Sequence, residues 1–194
     1  MRRPIPWFLI SILFGLIPFF SKGQGSLFFL DGGIQWPQYA FEEPDKAPAF
    51  SPQAGYFFGF SGLVLSRRDN RPMFQAHMGM ESTAGEWFVR LRPGVSYLPD
   101  LGGGFHLHSH LGLGAHFPLH NGFRTYLSLD PELGLGYRGV IIKGGYQWAM
   151  GNWIDPSLSF TGLPGTRGRV HQAYLGISFS PQVLFPSSAQ TREY

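Results

Sequence analysis

The sequence contains no cysteine. That excludes a disulfide framework, a thiolate metal centre and a lipid-modified cysteine at a processing point. Charge is also scarce, with Asp, Glu, Lys and Arg making up 14% of the residues. Beyond the first twenty residues there is no long apolar run, and no later segment sustains a helical period of hydrophobicity. A helical bundle and a helical membrane span are therefore poor readings of the chain past its start. Disorder is a poor reading too, because 16% of the residues are aromatic and disordered chains are depleted in them. The 27 glycines and 16 prolines point instead to short strands joined by turns.

The first residues have a pattern of their own. Arg2 and Arg3 precede an apolar stretch from Trp7 to Phe20, and Ser21-Lys22-Gly23 follows before the polar Gln24. This order predicts a secretory signal peptide over residues 1–23, cleaved after Gly23. The rival reading, a transmembrane anchor, needs roughly 18–20 apolar residues, more than this run supplies. Arg2, Arg3 and Lys22 account for the whole net charge of +3, so the remainder of the chain is formally neutral. A nucleic-acid partner is not expected, since the basic excess belongs to the leader.

Strict alternation recurs through the rest of the chain. From Phe105 to Phe117, one face reads Phe105, Leu107, Ser109, Leu111, Leu113, Ala115 and Phe117, and the other reads His106, His108, His110, Gly112, Gly114 and His116. Such a run predicts a strand with one apolar and one polar face. Trp87 to Tyr97, Phe74 to Glu81, Phe123 to Tyr137 and Val140 to Trp148 behave in the same way. Weaker runs cover Leu27 to Trp36, Gln53 to Leu65 and Arg169 to Phe179, giving eight strands in all.

The connections carry turn chemistry: Arg67-Arg68-Asp69-Asn70, Thr83-Ala84-Gly85, Pro99-Asp100-Leu101-Gly102, His120-Asn121-Gly122 and Tyr137-Arg138-Gly139. Two connections are long, Pro37–Ser51 and Gly151–Gly168. With the first strand rising from the periplasmic side, both long loops face outward and the inward turns are short, as in outer-membrane barrels. Alternation alone leaves two readings open. A soluble lipid-binding barrel turns its apolar face inward, whereas a membrane barrel turns it outward. Aromatic rings cap the apolar faces at both ends, as Trp87 with Tyr97, Phe105 with Phe117 and Phe123 with Tyr137. That favours two interfacial girdles and a membrane.

With these features residues 24–180 resemble the small, eight-stranded, porin-like outer-membrane β-barrels of Gram-negative bacteria. The final strand, Gln172-Ala173-Tyr174-Leu175-Gly176-Ile177-Ser178-Phe179, is similar to the C-terminal assembly signal of that group, although the chain continues as a tail over residues 181–194. The resemblance implies an all-β, antiparallel up-and-down transmembrane barrel in the bacterial outer membrane. It further implies outer-membrane lipid and the barrel-assembly machinery as partners, a monomeric state and no cofactor.

Chemistry is only faintly written. His106, His108 and His110 fall on one strand face at two-residue spacing, a geometry from which imidazoles can bind a divalent cation. The other reading makes them hydrogen-bonded lumen residues. Arg90, Arg92, Arg124, Asp130, Glu132 and Lys143 share the polar faces and are expected to pair inside the barrel, where side chains fill the interior. Ser109 lies on the opposite face from His108 and His110, so it cannot easily use them as a base. No Gly-x-Ser-x-Gly elbow occurs, and Leu101-Gly102-Gly103-Gly104 lacks the helix and the Lys-Ser/Thr pair of a phosphate loop.

The sequence therefore reads as a non-enzymatic barrel with a structural or surface-interaction role. Its second long loop carries Trp153, Ile154, Leu158 and Phe160, more apolar than a solvated loop requires, and an extracellular or envelope protein is the expected partner. The alternatives are a metal-dependent or lipid-hydrolysing barrel built on His106, His108 and His110, and a soluble periplasmic lipid-binding barrel.

Overall fold

The computed structural model describes residues 26–41, 54–64, 72–83, 86–119, 125–151 and 168–181. The expected signal peptide, residues 182–194 of the tail, and the loop residues Trp153, Ile154, Leu158 and Phe160 lie outside this set, as does Arg124.

Alternating sequences become strands because successive side chains leave a strand on opposite faces. The strands are β1 (Ser26–Phe41), β2 (Gly55–Val64), β3 (Met73–Thr83), β4 (Glu86–Tyr97), β5 (Asp100–Gly102), β6 (Phe105–Pro118), β7 (Tyr126–Tyr137), β8 (Val140–Met150) and β9 (Gly168–Phe179). Eight of them build the wall. The exception is β5, a three-residue strand that folds the Pro99–Gly102 turn back onto the start of β6. Each wall strand pairs antiparallel with its sequence neighbour, and β1 pairs with β9, so the sheet closes on itself. Closure leaves no wall strand with an unpaired edge.

The ends of β1, β3, β6 and β8 and the starts of β2, β4, β7 and β9 lie at one end, here the loop end; Pro37–Phe41, expected as the start of the first long loop, belong to β1. The start of β1, the end of β9 and the turns at Pro99–Gly104 and Arg138–Gly139 lie at the opposite, terminal end. One of those turns is as short as a hairpin allows: Arg138 (φ 45°) and Gly139 (φ 84°) both take left-handed conformations, the geometry of a two-residue type I′ turn.

The barrel is turned outside in relative to a soluble one. Leu133 is 64% exposed, Ile142 61% and Leu113 59%, whereas Glu81, Arg92 and Gln147 are not measurably exposed at all. A wall that offers leucine outward and encloses arginine fits hydrocarbon and not water. This overturns the soluble lipid-binding alternative, whose apolar faces would surround a cavity. Rings on the outer wall gather towards the two ends: Trp36, Tyr56 and Trp148 towards the loops, Phe74, Tyr97, Phe105 and Tyr137 towards the termini.

Inside, one cluster of buried apolar side chains lies at the terminal end. Phe29, Leu63 and Ile141 pack there with Leu27, Met73 and Leu98, forming a stopper across the lumen. Two outward prolines interrupt the wall ladders. Pairing between β4 and β6 skips the Arg92–Pro93 step, and pairing between β7 and β8 skips Asp130–Pro131. A proline has no N–H to give at those points.

Candidate functional site: the polar lumen

Buried polar groups must find partners among themselves once water is excluded. In this barrel most of the buried charges do so in two connected groups, each centred on a glutamate.

Nearer the terminal end, Glu132 on β7 accepts from Arg92 Nη2 at 3.0 Å and from the Tyr174 hydroxyl at 2.9 Å, both on Oε2. Arg92 Nη1 also donates to that hydroxyl at 2.7 Å. On the other carboxylate oxygen, Lys143 Nζ lies at 3.4 Å and His108 Nδ1 at 3.5 Å. Lys143 continues to Asp31 Oδ1 at 2.8 Å. Ser178 donates to the same Asp31 oxygen, and His77 Nε2 stands 3.3 Å from Oδ2. Beside this group, Ser96 donates to Gln75 and lies 2.8 Å from His110 Nδ1.

Nearer the loop end, Glu81 on β3 receives three side chains. His116 Nδ1 lies 2.6 Å from Oε1, the Tyr126 hydroxyl donates to the same oxygen at 3.1 Å, and Arg90 Nη1 reaches Oε2 at 3.3 Å. On the far side of the imidazole, the Ser128 hydroxyl lies 2.8 Å from His116 Nε2. Tyr126 stacks on the same ring, with centroids 4.1 Å apart and planes 5° apart. Above these residues a neutral layer closes the lumen: Gln35 Nε2 donates to Thr83 Oγ1 at 2.9 Å, and Thr83 donates to Gln172 Oε1 at 3.0 Å.

The residues singled out by strand phase are distributed as follows. Arg90, Arg92, Asp130, Glu132 and Lys143 are all inside and buried. Arg90 belongs to the Glu81 group, Arg92 and Lys143 to the Glu132 group. Asp130 is buried with neither carboxylate oxygen hydrogen-bonded to a side chain or backbone group. The three histidines of β6 do not converge. His108 and His110 stack with centroids 6.4 Å apart, but His108 turns to Glu132 and Gln75 while His110 turns to Ser96. His106 stays part-exposed at the terminal end, beside Asp100 and Arg138. Among the described residues no three His, Asp or Glu side chains are arranged to hold a metal ion.

Sequence reading overlooked Asp31, Tyr174 and Gln172. Asp31 follows Phe28, Phe29 and Leu30, three apolar residues in a row that hide the phase of β1. Its one legible signal is that it is the lone charge in that strand. The pairing of His116 with Ser128 was also invisible, because it is made across strands by register, Gly114 facing Ser128 and His116 facing Tyr126.

No family model matches the chain. No curated protein matches it either. Solved structures similar to it are small outer-membrane proteins. Ail, the attachment invasion locus protein of Yersinia pestis, is 11% identical, with 81% of this chain and 99% of Ail covered and a TM-score of 0.40. Ail has also been seen in complex with the heparin analogue sucrose octasulfate. Neisserial surface protein A is 14% identical, with coverage of 80% and 99% and a TM-score of 0.41. OprG of Pseudomonas aeruginosa is 14% identical, with coverage of 81% and 97% and a TM-score of 0.42. The similarity is one of fold.

Proposed function

We propose that this outer-membrane barrel is a surface-interaction protein that works through the two long loops at its loop end, residues 42–54 and 151–167. The observation that carries this reading is the filled lumen. Side chains of Arg92, Lys143, His108, His116, Gln147 and Gln172 occupy it in full burial, and the apolar stopper seals the terminal end. An eight-stranded barrel packed in this way offers a solute no path from one end to the other, so a transport role finds no support. What remains available to a protein partner is the surface outside the wall.

Rigidity suits such a role. A closed sheet cross-linked by buried ion pairs presents its loops from a fixed frame, which lowers the entropy lost when a partner docks. The second long loop contributes Trp153, Ile154, Leu158 and Phe160, side chains of the kind that anchor interfaces. The partner expected from this composition is an extracellular or envelope protein. Deleting residues 152–166 tests the idea in intact cells. The shortened protein is expected to assemble and keep its heat-modifiable mobility while losing capture of surface or envelope partners by cross-linking. Undiminished capture by the shortened protein would refute it.

A further inference from the structure

Glu81, His116 and Ser128 stand in a fixed order across three strands. The carboxylate of Glu81 meets Nδ1 of the imidazole at 2.6 Å, and Nε2 meets the Ser128 hydroxyl at 2.8 Å. A carboxylate has no proton to give, so Nδ1 donates to it, and the tautomer protonated on Nδ1 leaves Nε2 to accept from serine. This is the relation of orienting carboxylate, base and nucleophile found in the serine triads that carry out acyl transfer. We propose that Ser128 is the nucleophile of a carboxylic-ester hydrolase site at the loop end of the lumen, with His116 as its base and Glu81 positioning the imidazole.

Several features hold the arrangement in place. Glu81 cannot turn away, because the Tyr126 hydroxyl and Arg90 grip it at 3.1 and 3.3 Å. Tyr126 also covers one face of the imidazole. Gly114, the residue opposite Ser128, keeps the hydroxyl's place clear: a Cβ there would lie 2.2 Å from Ser128 Oγ, 2.6 Å from His116 Nε2 and 3.0 Å from Asp130 Oδ2. The serine is thus held against bare backbone, where any larger residue would displace it. Gln147 Nε2 lies 2.8 Å from the same imidazole nitrogen and 3.1 Å from Nδ1, so its amide rests against the ring beside the serine.

Depth and direction also fit. Ser128, His116 and Glu81 each stand two residues from the loop end of their strands, a depth of about 7 Å at about 3.3 Å per residue. Nearer the loop end, among the described residues, Gln35, Thr83 and Gln172 form an uncharged hydrogen-bonded layer. An ester reaching the serine enters from the loop end by parting those neutral hydrogen bonds, since the opposite end is stoppered by Phe29, Leu63 and Ile141. The reaction needs no other reagent than water. Ser128 Oγ bonds to the ester carbonyl carbon as its proton passes to His116 Nε2. The carbon–oxygen bond to the alcohol then breaks, and His116 returns the proton to the departing alkoxide. Water, deprotonated by the same nitrogen, releases the acid and restores the serine.

The test uses the full chain folded in detergent, with heat-modifiable mobility as the check on folding. A fluorophosphonate probe forms an Oγ–phosphorus bond and expels fluoride, and peptide mass spectrometry locates it. The expected result is one label per chain, on Ser128, with labelling lowered at least about a hundredfold by Ser128→Ala and by His116→Gln. Ser109→Ala, on the lipid-facing side of β6, is expected to label as the parent does. Glu81→Gln is expected to lower kcat on p-nitrophenyl butyrate while leaving KM unchanged. A folded parent protein that takes no label, or takes it at another residue, overturns the proposal.

Discussion

Lys143 Nζ lies 2.8 Å from Asp31 Oδ1, joining two residues 112 positions apart in sequence. Lys143 is on β8 and Asp31 on β1, strands that do not touch because β9 runs between them. The ion pair therefore spans the lumen behind β9 and ties the first strand to the last hairpin, the seam at which the barrel closes. A hydrogen bond from Ser178, on β9 itself, reaches the same Asp31 oxygen, so all three strands of the seam share one carboxylate.

Removing one member of this seam leaves a charge buried with too few partners. Asp31→Ala is expected to cost about 3–5 kcal/mol, the usual penalty for breaking a buried pair from one side. Adding Lys143→Met should recover a large part of that loss, because the remaining apolar side chain no longer needs a counter-charge. Urea titration of the refolded barrel in detergent, read by its gel mobility, checks both. A double variant no more stable than Asp31→Ala alone would show that the pair does not act as a unit.

The outer wall makes an independent demand. Leu133, the most exposed of the large wall side chains at 64%, sits mid-strand on β7. Leu133→Arg is expected to lower stability in lipid bilayers by about 2–4 kcal/mol, the cost of a charge near the bilayer midplane. Unfolding measured in phospholipid vesicles gives the value, and an unchanged midpoint would mean that this face does not meet hydrocarbon.

The filled lumen sets a third expectation. Purified barrel added to a planar bilayer should produce no discrete conductance steps at neutral pH, since side chains and the apolar stopper close the interior. Steady unitary currents from the unmodified chain would contradict the packing described above.

Much of this was legible in the sequence, and the reason is periodicity. Where one face is uniformly apolar, as in Phe105 to Phe117, the side-chain period of two fixes both the strand and the direction of every residue in it. Thus His108, His110, Arg90, Arg92 and Lys143 could be placed on polar faces without coordinates. Eight strands were visible, but β5 was not, because three residues are too few to show a period. Asp31 was missed for a different reason: the aromatic and aliphatic cluster of Phe28 to Leu30 spans both faces, since the terminal end of the lumen is itself apolar. The site contacts were beyond reach altogether. Glu81 meets His116 only because the barrel folds β3 and β6 round on either side of β4, and a pattern within one strand carries no information about what lies across a lumen.

The central claim is that leucines cover the outside and charges fill the inside, and the absence of native cysteine makes it directly measurable. A nitroxide spin label placed on Leu133→Cys, in barrel reconstituted into phospholipid vesicles, should collide readily with oxygen and hardly at all with a water-soluble nickel chelate. That pattern is the mark of a lipid-facing site. A label shielded from both, on a folded chain that stays in solution without detergent, would place the leucine in a protein core and contradict the account.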